Sequence, residues 1–191
     1  MTNTLLLLFL SIGLFSCNEQ KAETATSQKG KMTFKAVEIK EKNLTPTVDI
    51  EKYTLVETQN EDRKKDAEQI LDLKRKWPLV MQLPNRIGFD TILSRNFTFN
   101  GDGHLLNRED YITDRTKSGD WKITYVKYDN LTLQFFGNIA LLSYKNQVTN
   151  ENINTKEVEI EYISWADIYV VENNKWKIEA AHVVDFRMEK K

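Results

Sequence analysis

At 191 residues, with 40% hydrophobic and 29% charged side chains, the chain can bury one good core but hardly two, so a single domain is expected. Its 27 Lys and Arg stand against 28 Asp and Glu, a formal charge of -1, and the two signs are mixed along the chain. That mixing excludes the clustered basic face that nucleic acid requires.

Leu5 to Phe15 is an almost unbroken apolar run, interrupted by Ser11 and Gly13 and followed by a polar stretch. It has the length of an export signal and falls short of the ~20 residues that span a bilayer. The opening Met1-Thr2-Asn3-Thr4 carries no Lys or Arg, a departure from the usual signal. The run ends in Leu14-Phe15-Ser16-Cys17, which resembles the bacterial lipobox. That resemblance implies acylation of Cys17, palmitate included, and a lipid-anchored protein of the bacterial cell envelope. Cys17 is the only cysteine, so no intramolecular disulfide can form, and lipidation accounts for the unpaired thiol. The alternative is a plain signal peptide with an incidental cysteine. Residues 18–58 read as a polar tether, Asn18 to Lys31, and an irregular, weakly strand-like arm, Met32 to Thr58. The folded domain is expected over 59–188.

Within it, Ala67, Ile70, Leu71, Trp77 and Met81 fall at helical spacing with charged residues opposite, which predicts a helix that buries this stripe. Pro78 predicts a kink or restart at Trp77-Pro78. Pro84 and Asn85 open a shorter helix through Phe89, Ile92 and Leu93. Phe97-Thr98-Phe99 alternates as a short strand before turn chemistry at Asn100-Gly101-Asp102-Gly103. Asn107 followed by Asp110 marks the cap of a third helix ending at Gly119. β-rich stretches follow at Asp120 to Tyr128, Leu131 to Phe136, Ile139 to Thr149, Glu157 to Val171 and Lys175 to Arg187. Turn signals at Asp129-Asn130, Gly137-Asn138, 150–154 and Asn173-Asn174 separate them, so antiparallel hairpins are expected and the class is α+β.

Period-two alternation puts Trp176, Ile178, Ala180, His182, Val184 and Phe186 on one buried face of the last strand. Ile163, Trp165, Tyr169 and Val171 continue one face of the strand before it. Apolar residues on both faces of that strand predict cover on both, by helices inside and a second subunit outside, hence a homodimer through the outer sheet face.

Three stretches carry a resemblance over about Glu61 to Arg187: Leu93-Ser94-Arg95-Asn96-Phe97-Thr98-Phe99 before Gly-Asp-Gly; Phe136-Gly137-Asn138-Ile139-Ala140-Leu141-Leu142; and Asn174-Lys175-Trp176-Lys177-Ile178-Glu179-Ala180-Ala181-His182. In this order and at these distances they resemble the nuclear transport factor 2-like superfamily, in particular its SnoaL-like and ketosteroid-isomerase-like members. The resemblance implies N-terminal helices packed in a curved antiparallel sheet, a cystatin-like cone. A pocket lies between helices and sheet in such cones, and Trp77, Phe97, Phe99, Tyr111, Trp165, Tyr169 and Trp176 are candidates for its wall; as aromatics they equally fill a core.

His182 on the last strand and Asp167 beside Trp165 and Tyr169 are the candidate acid–base pair, with Asp102 a possible base. Their structural alternatives are a satisfied core histidine and a sheet-surface salt bridge. Asp167-Ile168-Tyr169 falls where ketosteroid isomerases keep the aspartic acid of their oxyanion hole. Trp77 takes the place of the first-helix tyrosine, and the base falls near Gly101 or, with a one-residue shift, Asp102. His104 and His182 lie far apart without paired ligands, so no metal is expected, nor any cofactor. The leading expectation is an envelope lipoprotein whose cone binds a small, largely apolar molecule. The alternatives are an acid–base enzyme of isomerase, dehydratase or hydrolase type, and a dimeric interaction module.

Overall fold

The computed structural model describes residues 46–56, 62–82, 85–101 and 103–190, all within one unit, Lys40–Lys191. Cys17, the signal segment, the tether and Asp102 lie outside them. Helix α1 runs from Lys64 to Gln82, α2 from Arg86 to Ile92 and α3 from Arg108 to Arg115. The strands are β1 Thr47–Ile50, β2 Tyr53–Val56, β3 Leu93–Gly101, β4 His104–Asn107, β5 Trp121–Phe136, β6 Ile139–Asn152, β7 Val158–Glu172 and β8 Lys175–Lys190.

They form one curled sheet in the order β1-β5-β6-β7-β8-β3-β4, with β2 also pairing β5. The expected antiparallel meander is β5 to β8. The sheet as a whole is mixed, because β3 joins β8 in parallel and β1 and β2 join β5 in parallel. Two segments therefore differ from the sequence reading. The end of the arm is part of the sheet, with Val48, Ile50, Tyr53 and Leu55 packed on the core. Asp129-Asn130 is an irregularity within one long β5, with Asn130 at φ 55°, and not a hairpin turn. Asn tolerates that left-handed geometry in a bulge as readily as in a turn, so the residue type alone does not distinguish them.

The caps follow the sequence. Asn85 accepts from the Gly88 amide at 2.9 Å, and Asn107 accepts from the Asp110 amide at 3.0 Å. Helix α3 closes earlier than Gly119, at Arg115, where the Thr116 amide bonds to the Ile112 carbonyl. Helix α1 is continuous through Pro78. A proline there leaves the carbonyl four residues back, that of Lys74, without its helical donor. The buried Tyr128 hydroxyl of β5 donates to that carbonyl at 3.2 Å. Tertiary structure thus supplies the bond that the proline removes.

The core lies between α1–α3 and the inner sheet face, with Ile70, Leu71, Phe89, Ile92, Leu133, Leu142 and Ile178 fully enclosed. Strand β8 carries two bulges, since Tyr169 pairs with Ile178 but Ile168 with Ala180, and Trp165 with Val183 but Ser164 with Asp185. Glu179 is the extra residue of the first, and its carboxylate accepts a short hydrogen bond from the buried Ser94 hydroxyl. That bulge inverts the facing of the residues between it and the second bulge at Val184. Ala181 becomes buried, and His182 is exposed, paired with Ala166 and with Asn100 on the outer side. The expectation that His182 shares the buried face of Trp176 and Ile178 is corrected accordingly.

Candidate functional site

Inside the curl, one polar cluster is enclosed by aromatic rings. Helix α1 places Lys74 on its inward stripe, 2% exposed, and β7 places Asp167 opposite it at 0% exposed. The Lys74 Nζ lies 2.8 Å from Asp167 Oδ2 and donates to the Tyr144 hydroxyl at 2.5 Å. Tyr144 in turn donates to the same carboxylate oxygen at 3.0 Å, and Tyr169 does so at 3.4 Å. Asp167 Oδ1 is equally buried and has no hydrogen-bond partner. The ammonium also lies over the rings of Tyr144 at 4.4 Å and Trp77 at 4.9 Å from their centroids, a cation–π arrangement.

Desolvation dominates the electrostatics. It pulls the Lys74 pKa down, against the opposing pull of Asp167. It pushes the Tyr144 and Tyr169 hydroxyls well up, and the Asp167 charge adds to the rise. At neutral pH the tyrosines are therefore donors. An ion pair removed from water loses several kcal/mol of hydration per ion, and an apolar replacement of the same volume is often as stable or more so. Buried charge in an aromatic enclosure is thus a candidate for function, by the same reasoning that links perturbed groups to sites.

The predicted aromatics divide between this cluster and the core around it. Trp77 and Trp165 are half-buried and flank it, Trp165 stacking on Tyr144 at 6.3 Å and donating to Asn146 at 3.1 Å. Phe97, Phe99 and Tyr111 form a neighbouring group, with Tyr111 5.0 and 5.2 Å from the two phenylalanine rings. Burial pushes the Tyr111 phenol up, while Arg115, whose guanidinium lies 5.4 Å from its ring centroid, pulls it back. Tyr169 is in the cluster itself. Trp176 instead bonds Asp66 at the start of α1 at 3.0 Å and meets the Phe135 ring edge-on at 5.5 Å, where it pins helix to sheet.

Of the two placements the sequence left open for Asp167, the interior one is found, while His182 lies exposed and Lys74 and Tyr144 are the groups beside the carboxylate. Lys74 was legible in principle: it stands in the same stripe as Ile70, Leu71 and Pro78, a lysine where helical spacing demands an apolar residue. Among the described residues no group of three or more His, Cys, Asp or Glu could hold a metal ion, and no helix is long and apolar enough to cross a membrane.

No protein-family model and no curated protein matches the sequence. Solved structures do match by shape. An NTF2-like protein from Cytophaga hutchinsonii superposes at a TM-score of 0.52 and 16% identity, covering 63% of this chain and 96% of its own. A hexachlorocyclohexane dehydrochlorinase superposes at 0.55 and 12% identity, covering 66% and 90%. The association domain of the C. elegans kinase CaMKII does so at 0.54 and 10% identity, covering 65% and 98%.

The domain has the nuclear transport factor 2-like fold.

At these identities the likeness shows the fold and leaves activity open. The residue of the first helix that meets Asp167 is Lys74, one turn before Trp77. Trp77, which the resemblance sets in the place of the first-helix tyrosine, lies beside the same cluster, its ring centroid 4.9 Å from the Lys74 ammonium.

Proposed function

We propose that the cone binds a small, largely apolar molecule that carries one hydrogen-bond donor, and that lipid on Cys17 holds the protein at a bacterial envelope membrane. The observation behind the binding reading is Asp167 Oδ1: a buried carboxylate oxygen without a partner among the described residues, on a carboxylate that accepts from Tyr144 and Tyr169 through its other oxygen. Burying an acceptor unsatisfied is costly, and a ligand donor would remove that cost. Aromatic walls would supply the contact area and the Lys74–Asp167 pair the orientation. The test uses phenol and anisole, which share a ring and differ in the donor, titrated against the full chain by tryptophan fluorescence. Phenol should bind more tightly to the wild type, and Asp167→Asn should erase the difference. Equal affinities for the two in the wild type would refute the reading. For the anchor, mass spectrometry of the mature protein should find acylated Cys17 at the N-terminus, and an unmodified N-terminus elsewhere would remove the idea.

An acid–base enzyme built on His182 and Asp167 lacks support from the geometry, since the histidine is on the outer face. Lys74 and Tyr144 are the groups that an enzyme reading would use. The dehydrochlorinase among the structural neighbours shows that this fold can host elimination chemistry. The dimer reading draws on a different surface: Phe136, Ile139 and Ile168 are exposed on the outer face of β5 to β7, 53%, 48% and 40% accessible. Cover by a second copy would remove these from water. Ile168→Glu should then lower the solution mass of the full chain, and an unchanged mass would count against that face.

A further inference from the structure

Among the described residues, β8 has two neighbours only in its first half. Strand β3 pairs with it as far as Asn100↔His182, and from Val183 onward β7 is its one partner. The stretch Val183 to Lys190 is therefore an open sheet edge, and it presents Val184, Phe186 and Met188 at 62%, 47% and 43% exposure. Long, apolar, unpaired edges are templates for another strand, and natural sheets ordinarily shorten or cover them. The other edges of this sheet, β1, β2 and β4, are short.

The residues along this edge complement themselves. An antiparallel pair of identical strands related by a two-fold axis through Phe186 sets Asp185 opposite Arg187 twice and Phe186 opposite itself, all beyond the second bulge of β8, whose extra residue is Val184. Moving the axis by one residue, to Arg187, sets Asp185 against Glu189 and loses the match. The favoured register is centred on Asp185 to Arg187, within the stretch that β3 leaves unpaired. Among the described residues Asp185 forms no ion pair, and Arg187 pairs with the part-buried Glu189 while stacking over the Tyr162 ring at 4.4 Å. Both charges are available to a partner.

We infer that two copies of this chain pair edge to edge through the second half of β8, in the register centred on Phe186, so that the two sheets become continuous. This contact is separate from the outer face carrying Phe136, Ile139 and Ile168, and from the Lys74–Asp167 cluster.

Two measurements on the full chain test it, both in a Cys17→Ser background so that no other thiol is present. With Phe186→Cys, the two introduced thiols face each other across the axis at cross-strand distance, within reach of a disulfide. Oxidation should then give a dimer band on a non-reducing gel, whereas Ile87→Cys, exposed on α2, should give none. Asp185→Lys and Arg187→Asp each place like charges opposite one another twice and should weaken edge pairing at least tenfold. An equimolar mixture of those two variants restores both opposite-charge pairs and should recover a heterodimer by sedimentation. Lack of cross-linking at position 186 under conditions that oxidise free thiols would overturn the inference. So would single-charge variants that dimerise like the parent, or a parent that is monomeric until Met32 to Thr45 is deleted, which would assign the edge to that segment instead.

Discussion

Replacing Lys74 by Met removes the ammonium 2.8 Å from Asp167 Oδ2 and leaves a fully buried carboxylate facing only tyrosine hydroxyls. Removing one partner of a buried pair costs about 3–5 kcal/mol. Asp167→Asn should be milder, about 1–3 kcal/mol, because a buried lysine can shed its charge and the loss is then mainly of hydrogen bonds. The double variant Lys74→Met with Asp167→Asn leaves no uncompensated charge and should cost less than Lys74→Met alone, giving a coupling energy of about 2 kcal/mol or more. Urea unfolding of the full chain, followed by tryptophan fluorescence, measures all four corners of the cycle. Effects that add within about 0.5 kcal/mol would refute the pairing. The pH dependence has a definite sign. Burial holds the folded Lys74 pKa below its ordinary value, so between those two values the unfolded chain binds more protons and stability rises with pH. In Asp167→Asn the attraction that holds the pKa up is gone, so the rise should begin at lower pH; in Lys74→Met this contribution should vanish.

Tyr128→Phe removes the donor to the Lys74 carbonyl opposite Pro78 and should cost about 1 kcal/mol. In a Pro78→Ala background, where the helix recovers its own donor, the same change should cost clearly less, and an equal cost in both backgrounds would refute the substitution of one bond for the other. Asp66 feels burial pushing its pKa up, but hydrogen bonds from Trp176 and Arg63 outweigh it and hold the carboxyl below its usual value. Its contribution is therefore present above the ordinary carboxylate pKa and lost as pH falls through the depressed one. Trp176→Phe should raise the Asp66 midpoint in a carboxylate NMR titration, and an unmoved midpoint would show that the indole does not matter there. Gly101→Ala should destabilise by about 1–3 kcal/mol in thermal melts, because a Cβ there would lie 2.7 Å from the Phe99 ring and 3.0 Å from Val183. A melting temperature within error of wild type would mean that the ring shifts freely.

Caps, the turns at Gly137 and at Asn173-Asn174, and the meander itself were readable, since each depends on residues within a few positions of one another. Asn85 and Asn107 cap the helices that their spacing announced, and Gly137, Asn173 and Asn174 take the positive φ that tight hairpins require. Continuity through Pro78 was not readable, because the bond that permits it comes from Tyr128, in another element. Nor was the parallel docking of β1, β2 and β3, which depends on partners distant in sequence.

The candidate site shows the same division most clearly. Sequence alone determined that Asp167 and Tyr169 share one face of β7 and that α1 buries one stripe, because backbone periodicity sets side-chain direction locally. Only the tertiary structure decided which residues meet. One bulge at Glu179, held by Ser94 from β3, turns His182 out to solvent, while the approach of α1 to β7 brings Lys74 onto Asp167. A bulge inverts strand alternation as far as the next bulge, and a buried ion pair forms only where two distant elements exclude water together; neither is encoded in any short window of the chain.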